Sequence, residues 1–330
     1  MNEFELVKDV KVELNATSCE LFKVYSSIHG FSAADLSRAL NVLERGLRES
    51  NVKALAFTGN LVASGLRGIL AQLVASKAFN VVITTTGALD HDIAKSEGAR
   101  YFKGFFEVDD AELKKRGLYR LGNIFIPSED YGPLVEKFVR RLVEKAVEIK
   151  REWALFELLK LAGETIKDEN SILRSAYEAG TEVFVPGWPD GAFGTALFVE
   201  WSRRRGDFII NYFKDMERLA EIFFTRRGKT CALILGGGIS KHHVLWWAQF
   251  RGGLDYVVYI TTAIEYDGSL SGARPREAVS WGKVKDKGEK VVVYGDATIV
   301  LPLLASCLFF KLSSPQDLDQ SDINAQSSRR

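Results

Sequence analysis

Apolar residues in this chain collect into short unbroken runs, and each run ends in glycine or small polar residues ahead of a stretch with helical spacing. KALAF ends in Thr58-Gly59-Asn60 and feeds LVASGLRGILAQLVAS, while NVVIT ends in Thr85-Thr86-Gly87 and feeds LDHDIAKS. TEVFV leads through PGWPDGAFG into ALFVEWSRR, and CALIL ends in Gly236-Gly237-Gly238 before KHHVLWWAQF. DYVVYI and KVVVYGD complete the set, each expected to lead into a helix. Strands without polar alternation are buried on both faces, and strands that alternate with helices build parallel sheets. The pattern predicts an α/β fold: a doubly wound, mainly parallel sheet with helices on both faces. Ligands of such sheets sit beyond the carboxyl ends of the strands, and the motifs above are expected there.

The flanks read differently. Residues 1–50 predict an N-terminal helical adaptor, with a short strand from Val10 to Leu14 and Ser32 as N-cap of the next helix. Leu36, Leu40 and Leu43 recur at helical spacing and are expected in the core. Residues 51–312 then form one domain, with a mainly helical segment at about 109–180 inside it. That segment contains RRLVEKAVEIKREWALFELLKLAGETI, apolar at every third or fourth position with charges on the opposite face. Residues 313–330 lack apolar periodicity and are expected to be disordered.

The stretch after the fifth run holds the most chemistry. A buried strand from Tyr256 to Ile260 is followed by a polar loop and a helix that Pro275 can open. Glu277 and Trp281, four apart, would share one face of that helix, with Gly282 loosening its end and Lys283 directly after. An amine beside an indole in a partly apolar place favours its neutral, nucleophilic form. The plainer reading of Lys283 is a solvated lysine at a helix end, and of Trp281 a core indole with an incidental carboxylate nearby.

Composition narrows the classes. The 330 residues are 46% hydrophobic and 26% charged with a formal net charge of +1, which is ordinary for a globular protein. The balance gives no electrostatic reason to expect nucleic acid or a membrane surface as partner. Cys19, Cys231 and Cys307 lie far apart without CxxC spacing, and read as small buried residues of a reducing compartment, not as a disulfide frame. CALILGGGI and ATIVLPLLASCLFF fall short of a membrane span, and the first residues lack a signal core, so a cytoplasmic protein is expected.

None of the glycine turns matches GxGxxG. Gly236 to Gly238 would let backbone approach a phosphate at a helix N-terminus, or make a tight turn only. Asp296, after the sixth run, would accept from ribose hydroxyls or cap the following helix. Lys241-His242-His243 opens a helix, where positive charge is disfavoured and an imidazole tends to be neutral. With four histidines and no cysteine pairing, a zinc site is not expected.

The sequences at residues 235–243 (LGGGISKHH) and 271–283 (SGARPREAVSWGK) closely resemble the deoxyhypusine synthase family. The likeness continues through TGNLVASGLRGIL, TTTGALDHDIAK, VPGWPDGAFG and VYGDATIVLPLL in the family's order, from about residue 10 to about residue 310. It implies a Rossmann-like NAD-binding domain and an aminobutyl transferase. In that family the lysine matching Lys283 forms an imine with a four-carbon fragment cut from spermidine. NAD takes the hydride and returns it, and the fragment ends on one lysine of the precursor of the hypusine-containing translation initiation factor. The resemblance assigns NAD to positions matching Gly59, Asn60, Thr85, Thr86, Gly87, Asp190, Gly237, Gly238, Thr262, Ala263, Asp296 and Ala297. It assigns the polyamine to those matching His242 and Lys241, with Glu277, Trp281 and Asp267 as further amine-binding candidates, and it implies a homotetramer with sites at dimer interfaces.

Departures from the eukaryotic-type pattern sit in the amine pocket. Aspartates there are replaced by Thr195 and Leu270, a glutamate by His91 and a serine by Ala63, as in an archaeal-type branch. Fewer carboxylates would hold fewer ammonium groups, so an agmatine-type donor stands beside spermidine. Two rival functions remain at this point: a homospermidine synthase-like transferase with a small amine acceptor, and a non-catalytic NAD-binding homologue.

Overall fold

Side chains alternate across a strand, so a strand buried on both faces must supply two apolar sets. β1 (Ser50–Phe57) does this with Leu55 and Phe57 in one core and Val52, Ala54 and Ala56 in the other. The computed structural model describes residues 6–313. Before β1 come α1 (Ser18–Ile28) and α2 (Ser32–Glu49). After it come α3 (Gly59–Ala63), α4 (Arg67–Ala75), β2 (Val81–Ile83), α5 (Thr86–Ser96), β3 (Phe102–Lys103), α6 (Asp110–Lys115), β4 (Leu118–Leu121) and β5 (Ile124–Pro127). α7 (Gly132–Ile149), β6 (Glu152–Trp153), α8 (Leu155–Thr165), α9 (Ile172–Ala179), β7 (Glu182–Phe184), α10 (Ala192–Arg203), β8 (Ile209–Ile210) and α11 (Tyr212–Ala220) follow. The chain closes with β9 (Lys229–Leu235), α12 (Ile239–Gln249), β10 (Leu254–Thr261), β11 (Val284–Tyr294) and α13 (Ala297–Ser313).

The six expected runs form one parallel sheet in the order β11-β10-β9-β1-β2-β7. The larger core lies on the face covered by α2, α4 and α13 among others, and the smaller lies under α12 and residues 219–223. The doubly wound α/β prediction holds. Leu40 and Leu43 are buried and Leu36 is partly so, and α2 packs across β9, β10 and β11.

Several local expectations are corrected. Val10 to Leu14 form no strand; they are exposed, with no neighbouring strand to take their backbone groups. Ser32 is the first residue of α2, the cap position is Phe31, and no side chain caps it. The segment at 109–180 is mainly helical, through α6 to α9, and also carries β4 and β5, a hairpin that β3 joins. Its long amphipathic run breaks between Ile149 and Leu155, where β6 pairs with β8. The break is held by capping: Glu157 accepts from the Ala154 N–H at 3.1 Å, and Asp215, far along the chain, accepts from the Leu155 N–H at 2.7 Å. Ser313 ends α13, and the remainder of the expected disordered tail lies outside the described residues.

The cysteine reading is overturned. Cys19 and Cys307 form a disulfide across a sequence separation of 288, with Cα atoms 4.9 Å apart. α1 packs on α13, and that packing brings together two cysteines whose spacing carries no signal. Cys231 is free and buried. Among the described residues no helix is long and apolar enough to cross a membrane.

Candidate active site

Successive strand ends open into one cleft of about 660 Å³. It is lined by Thr58 after β1, Thr85 after β2, Gly236 to Gly238 after β9, Thr261 to Ala263 at the end of β10, and Gly295 to Ala297 after β11. Thr58, Thr85 and Gly238 occupy the cap positions of α3, α5 and α12, and none of these helices has a side-chain cap. The Leu61 and Ala88 N–H groups bond back to the Thr58 and Thr85 carbonyls, and the earlier N–H groups of these first turns are left for water or a ligand, which suits an anion such as a diphosphate. Glycine is required at Gly237, where a Cβ would collide with Ser271 of the loop after β10. At Gly59 a Cβ would lie 2.6 Å from the Gly87 carbonyl carbon, so the turns after β1 and β2 touch backbone to backbone.

Of the residues predicted to hold a cofactor, Asn60, Thr85, Gly237, Gly238, Thr262, Ala263, Asp296 and Ala297 line this cleft. Gly59, Thr86 and Gly87 stand behind its wall. The Thr86 hydroxyl donates to the Gly187 carbonyl at 2.7 Å and pins the 185–191 loop onto α5. Asp190 is exposed in that loop, outside the lining residues. Asp296 combines two possibilities that the sequence set against each other. Its Oδ1 accepts the Thr298 N–H at 2.8 Å and caps α13, while Oδ2 has no partner within the described chain. Sequence reasoning had not singled out Thr261, Ser271 or Gly295.

The predicted helix before Lys283 is not there. Only Glu277–Val279 makes a 3-10 turn, its backbone closing at three-residue spacing from Glu277 N–H to Arg274 O and from Ser280 N–H to Glu277 O, while the Leu270 and Ala273 carbonyls of the loop before it accept from the Lys241 ammonium. Glu277 and Trp281 therefore do not share an α-helical face. Gly282, at φ +68°, closes the turn: its N–H bonds to Val279 O and that of Lys283 to Ala278 O. This pair of bonds is a Schellman arrangement in which only glycine is unstrained at the left-handed position. It throws Lys283 sideways out of the turn. The Leu254 N–H then donates to Lys283 O at 3.1 Å, so Lys283 stands at the amino end of β11 and not at a strand's carboxyl end.

α12 joins the two regions. Its first turn borders the cleft, and Trp246 lies roughly 10 Å further along its axis. The Lys283 ammonium is 5.1 Å from the centroid of Trp281 and 5.8 Å from that of Trp246. His242 stacks on Trp246 with centroids 5.8 Å apart and 28° between planes. Burial, and then the Lys283 charge, hold His242 below the usual histidine range. A neutral imidazole thus lies next to a primary amine, with indoles on two sides of that amine. Trp246 was missed, although it stands one helical turn from His242 in KHHVLWW.

The neighbours divide by role. His243 accepts from the Trp247 indole N–H at 3.1 Å, and burial pushes it down to about 4, so it supports the fold. Lys241 is 1% exposed, and burial lowers it to about 8; its ammonium lies 4.1 Å over the Tyr259 ring and holds the loop that carries Ser271. Glu277 is exposed near enough to Lys241 to oppose that shift. Asp267 is exposed and accepts from the Ser269 N–H at 2.7 Å. Thr195 is exposed on α10 and Leu270 in the loop over α12, on different elements. His91 is buried, with Nδ1 2.6 Å from the Tyr101 hydroxyl, and desolvation pushes it down to about 4.

Comparison with known proteins adds the chemistry's lineage. Residues 20–308 match the family described as deoxyhypusine synthase. A protein of Aeropyrum pernix named "Probable deoxyhypusine synthase" is 60% identical over 306 residues, covering 92% of this chain and 98% of its own. A like-named protein of Ignicoccus hospitalis is 52% identical over 303 residues, covering 91% of this chain and 94% of its own. A crystal structure of an Entamoeba histolytica protein, also named for this synthase, superposes with a TM-score of 0.60 at 22% identity. It covers 92% of this chain and 96% of that one, and shares the fold.

Proposed function

The chain belongs to the deoxyhypusine synthase family, and from that premise we propose how its residues divide the work of an aminobutyl transferase. The enzyme is a deoxyhypusine synthase: the aminobutyl group passes from spermidine to a lysine of the translation initiation factor precursor. The observation that supports Lys283 as the carrier is its ammonium between Trp281 and Trp246, with neutral His242 stacked on the second indole.

The cleft fits NAD. Amides without a side-chain cap at the starts of α5 and α12 suit its diphosphate, Asp296 has an oxygen left for ribose hydroxyls, and Gly237 lets Ser271 close against the cleft wall. When bound, NAD supplies the two-electron oxidation that opens the reaction and its reversal at the end. Lys283 adds to the oxidised carbon of the donor; the bond to the departing diamine breaks, and an imine links the four-carbon fragment to the lysine. The acceptor lysine then adds to this imine and displaces Lys283. His242 takes the proton from each attacking nitrogen and returns it to each leaving one. Trp281 holds the fragment's terminal ammonium by cation–π attraction, and Glu277 and Asp267 supply negative charge at the mouth.

Lys283 and the cleft lie at opposite ends of β11 within one chain. That offset supports a site completed by a second copy of the chain, the arrangement of the homotetramer that the family resemblance implies. The homospermidine-type and non-catalytic alternatives are not favoured by relatives at 60% and 52% identity named for the protein-modifying synthase. Borohydride added with NAD and spermidine tests the carrier. A reduced aminobutyl adduct on Lys283, found by peptide mass, is the expected result; an unmodified Lys283 in enzyme that transfers the group would end the proposal.

A further inference from the structure

Trp246 touches both groups that the proposed chemistry needs, although it lies far from Lys283 in the chain. α12 sets His242, Trp246 and Phe250 one turn apart on a single face. The Trp246 indole stacks on His242, and its centroid is 5.8 Å from the Lys283 ammonium. It is braced from below: Phe250 meets it edge-on at 5.8 Å, and Phe224 meets Phe250 edge-on at 5.6 Å. Phe224 and Phe250 also pack on Trp247, which is buried. Trp246 is itself 42% exposed, so part of its ring is left uncovered by these neighbours, with the Lys283 ammonium 5.8 Å from its centroid.

We infer that Trp246 is a positioning residue, one indole surface that fixes the His242 ring and the Lys283 amine in register for proton exchange. The inference rests on the reading of Lys283 and His242 above. Two flexible side chains from different elements would otherwise meet only by chance, and proton transfer requires hydrogen-bond reach between donor and acceptor. Covering one face of the imidazole also limits its hydration. The titratable group that acts on His242 is Lys283, from the turn before β11, and His242 in turn lowers its helix neighbour His243. Lys241, on the same helix, spends its ammonium on the loop carbonyls.

The test uses the full-length enzyme with NAD, spermidine and the acceptor protein. Trp246→Leu keeps apolar volume against Phe250 but removes the flat face, and Trp246→Phe keeps a ring. The Leu variant should lose roughly tenfold or more in kcat with KM for spermidine changed by less than about threefold. Its acidic limb should move to higher pH, because an uncovered imidazole regains water and its pKa rises toward the ordinary value. Trp246→Phe should recover most of kcat. A Leu variant with wild-type kcat and an unmoved acidic limb overturns the inference, as does an equal loss in both variants accompanied by an equal drop in Tm. Borohydride trapping keeps the two proposals apart. Slowed labelling of Lys283 in Trp246→Leu supports positioning, and labelling at the wild-type rate refutes it while leaving Lys283 as carrier. Absence of label in the wild type refutes the carrier itself.

Discussion

Replacing Asp296 separates two jobs held by one carboxylate. Its Oδ1 caps α13 through the Thr298 N–H at 2.8 Å, and its Oδ2 has no partner within the described chain. Asp296→Ala removes both oxygens. Loss of a helix cap costs about 1 kcal/mol, which in a chain of this size lowers Tm by about 2 °C. If Oδ2 accepts from ribose, a lost charge-assisted bond costs a further 1.5–3 kcal/mol, roughly ten- to a hundredfold in the Kd for NAD. Asp296→Asn keeps an oxygen for the Thr298 N–H but carries no charge. It should melt within about 1 °C of wild type while binding NAD several-fold more weakly. The assays are a calorimetric NAD titration and a thermal melt of the unliganded protein, run on all three forms. An Ala variant that melts lower yet binds NAD as tightly as wild type would falsify the ribose assignment and leave a helix cap only.

Other outcomes follow from the same geometry. Lys283→Ala should abolish transfer and borohydride labelling with NAD affinity within about twofold, and Lys283→Arg should also fail because guanidinium forms no imine; transfer by either variant at the wild-type rate removes the carrier role. Cys19→Ser, or reductant, should lower stability by about 3–5 kcal/mol, since the bridge closes a loop of 288 residues; a Tm indifferent to both would show that the bond contributes nothing. Acid should weaken the fold partly through His91, whose pKa falls from 6.5 to about 4 on burial. Between those values the unfolded chain binds a proton that the folded one does not, so stability drops as pH falls, by on the order of 3 kcal/mol for this group. Urea melts at pH 7 and pH 5 should show a smaller drop in His91→Gln than in wild type, and equal drops would discard the argument.

Much of this was legible before any coordinates. Six apolar runs with turns of Thr58-Gly59-Asn60, Thr85-Thr86-Gly87 and Gly236 to Gly238 imply a parallel sheet, because burial on both faces is written locally in each strand. The cleft at the strand ends follows from that topology, and Lys283 beside Trp281 is visible in adjacent letters. Boundaries were less legible: Val10 to Leu14 has strand-like alternation but no neighbour to pair with, and Ile149 to Leu155 breaks a continuous helical pattern.

What only the tertiary structure decided are the meetings between distant segments. Cys19 meets Cys307 because α1 packs on α13. Lys241 turns from the cleft because the loop carbonyls of Leu270 and Ala273 lie above it. Trp246 reaches Lys283 because Gly282 turns the chain sideways at the foot of β11, beside α12. Periodicity and turn chemistry act over a few residues and can be read from neighbours in the sequence. The partner of a buried ammonium, a thiol or an indole depends on which surfaces the core brings together, and that depends on the whole fold.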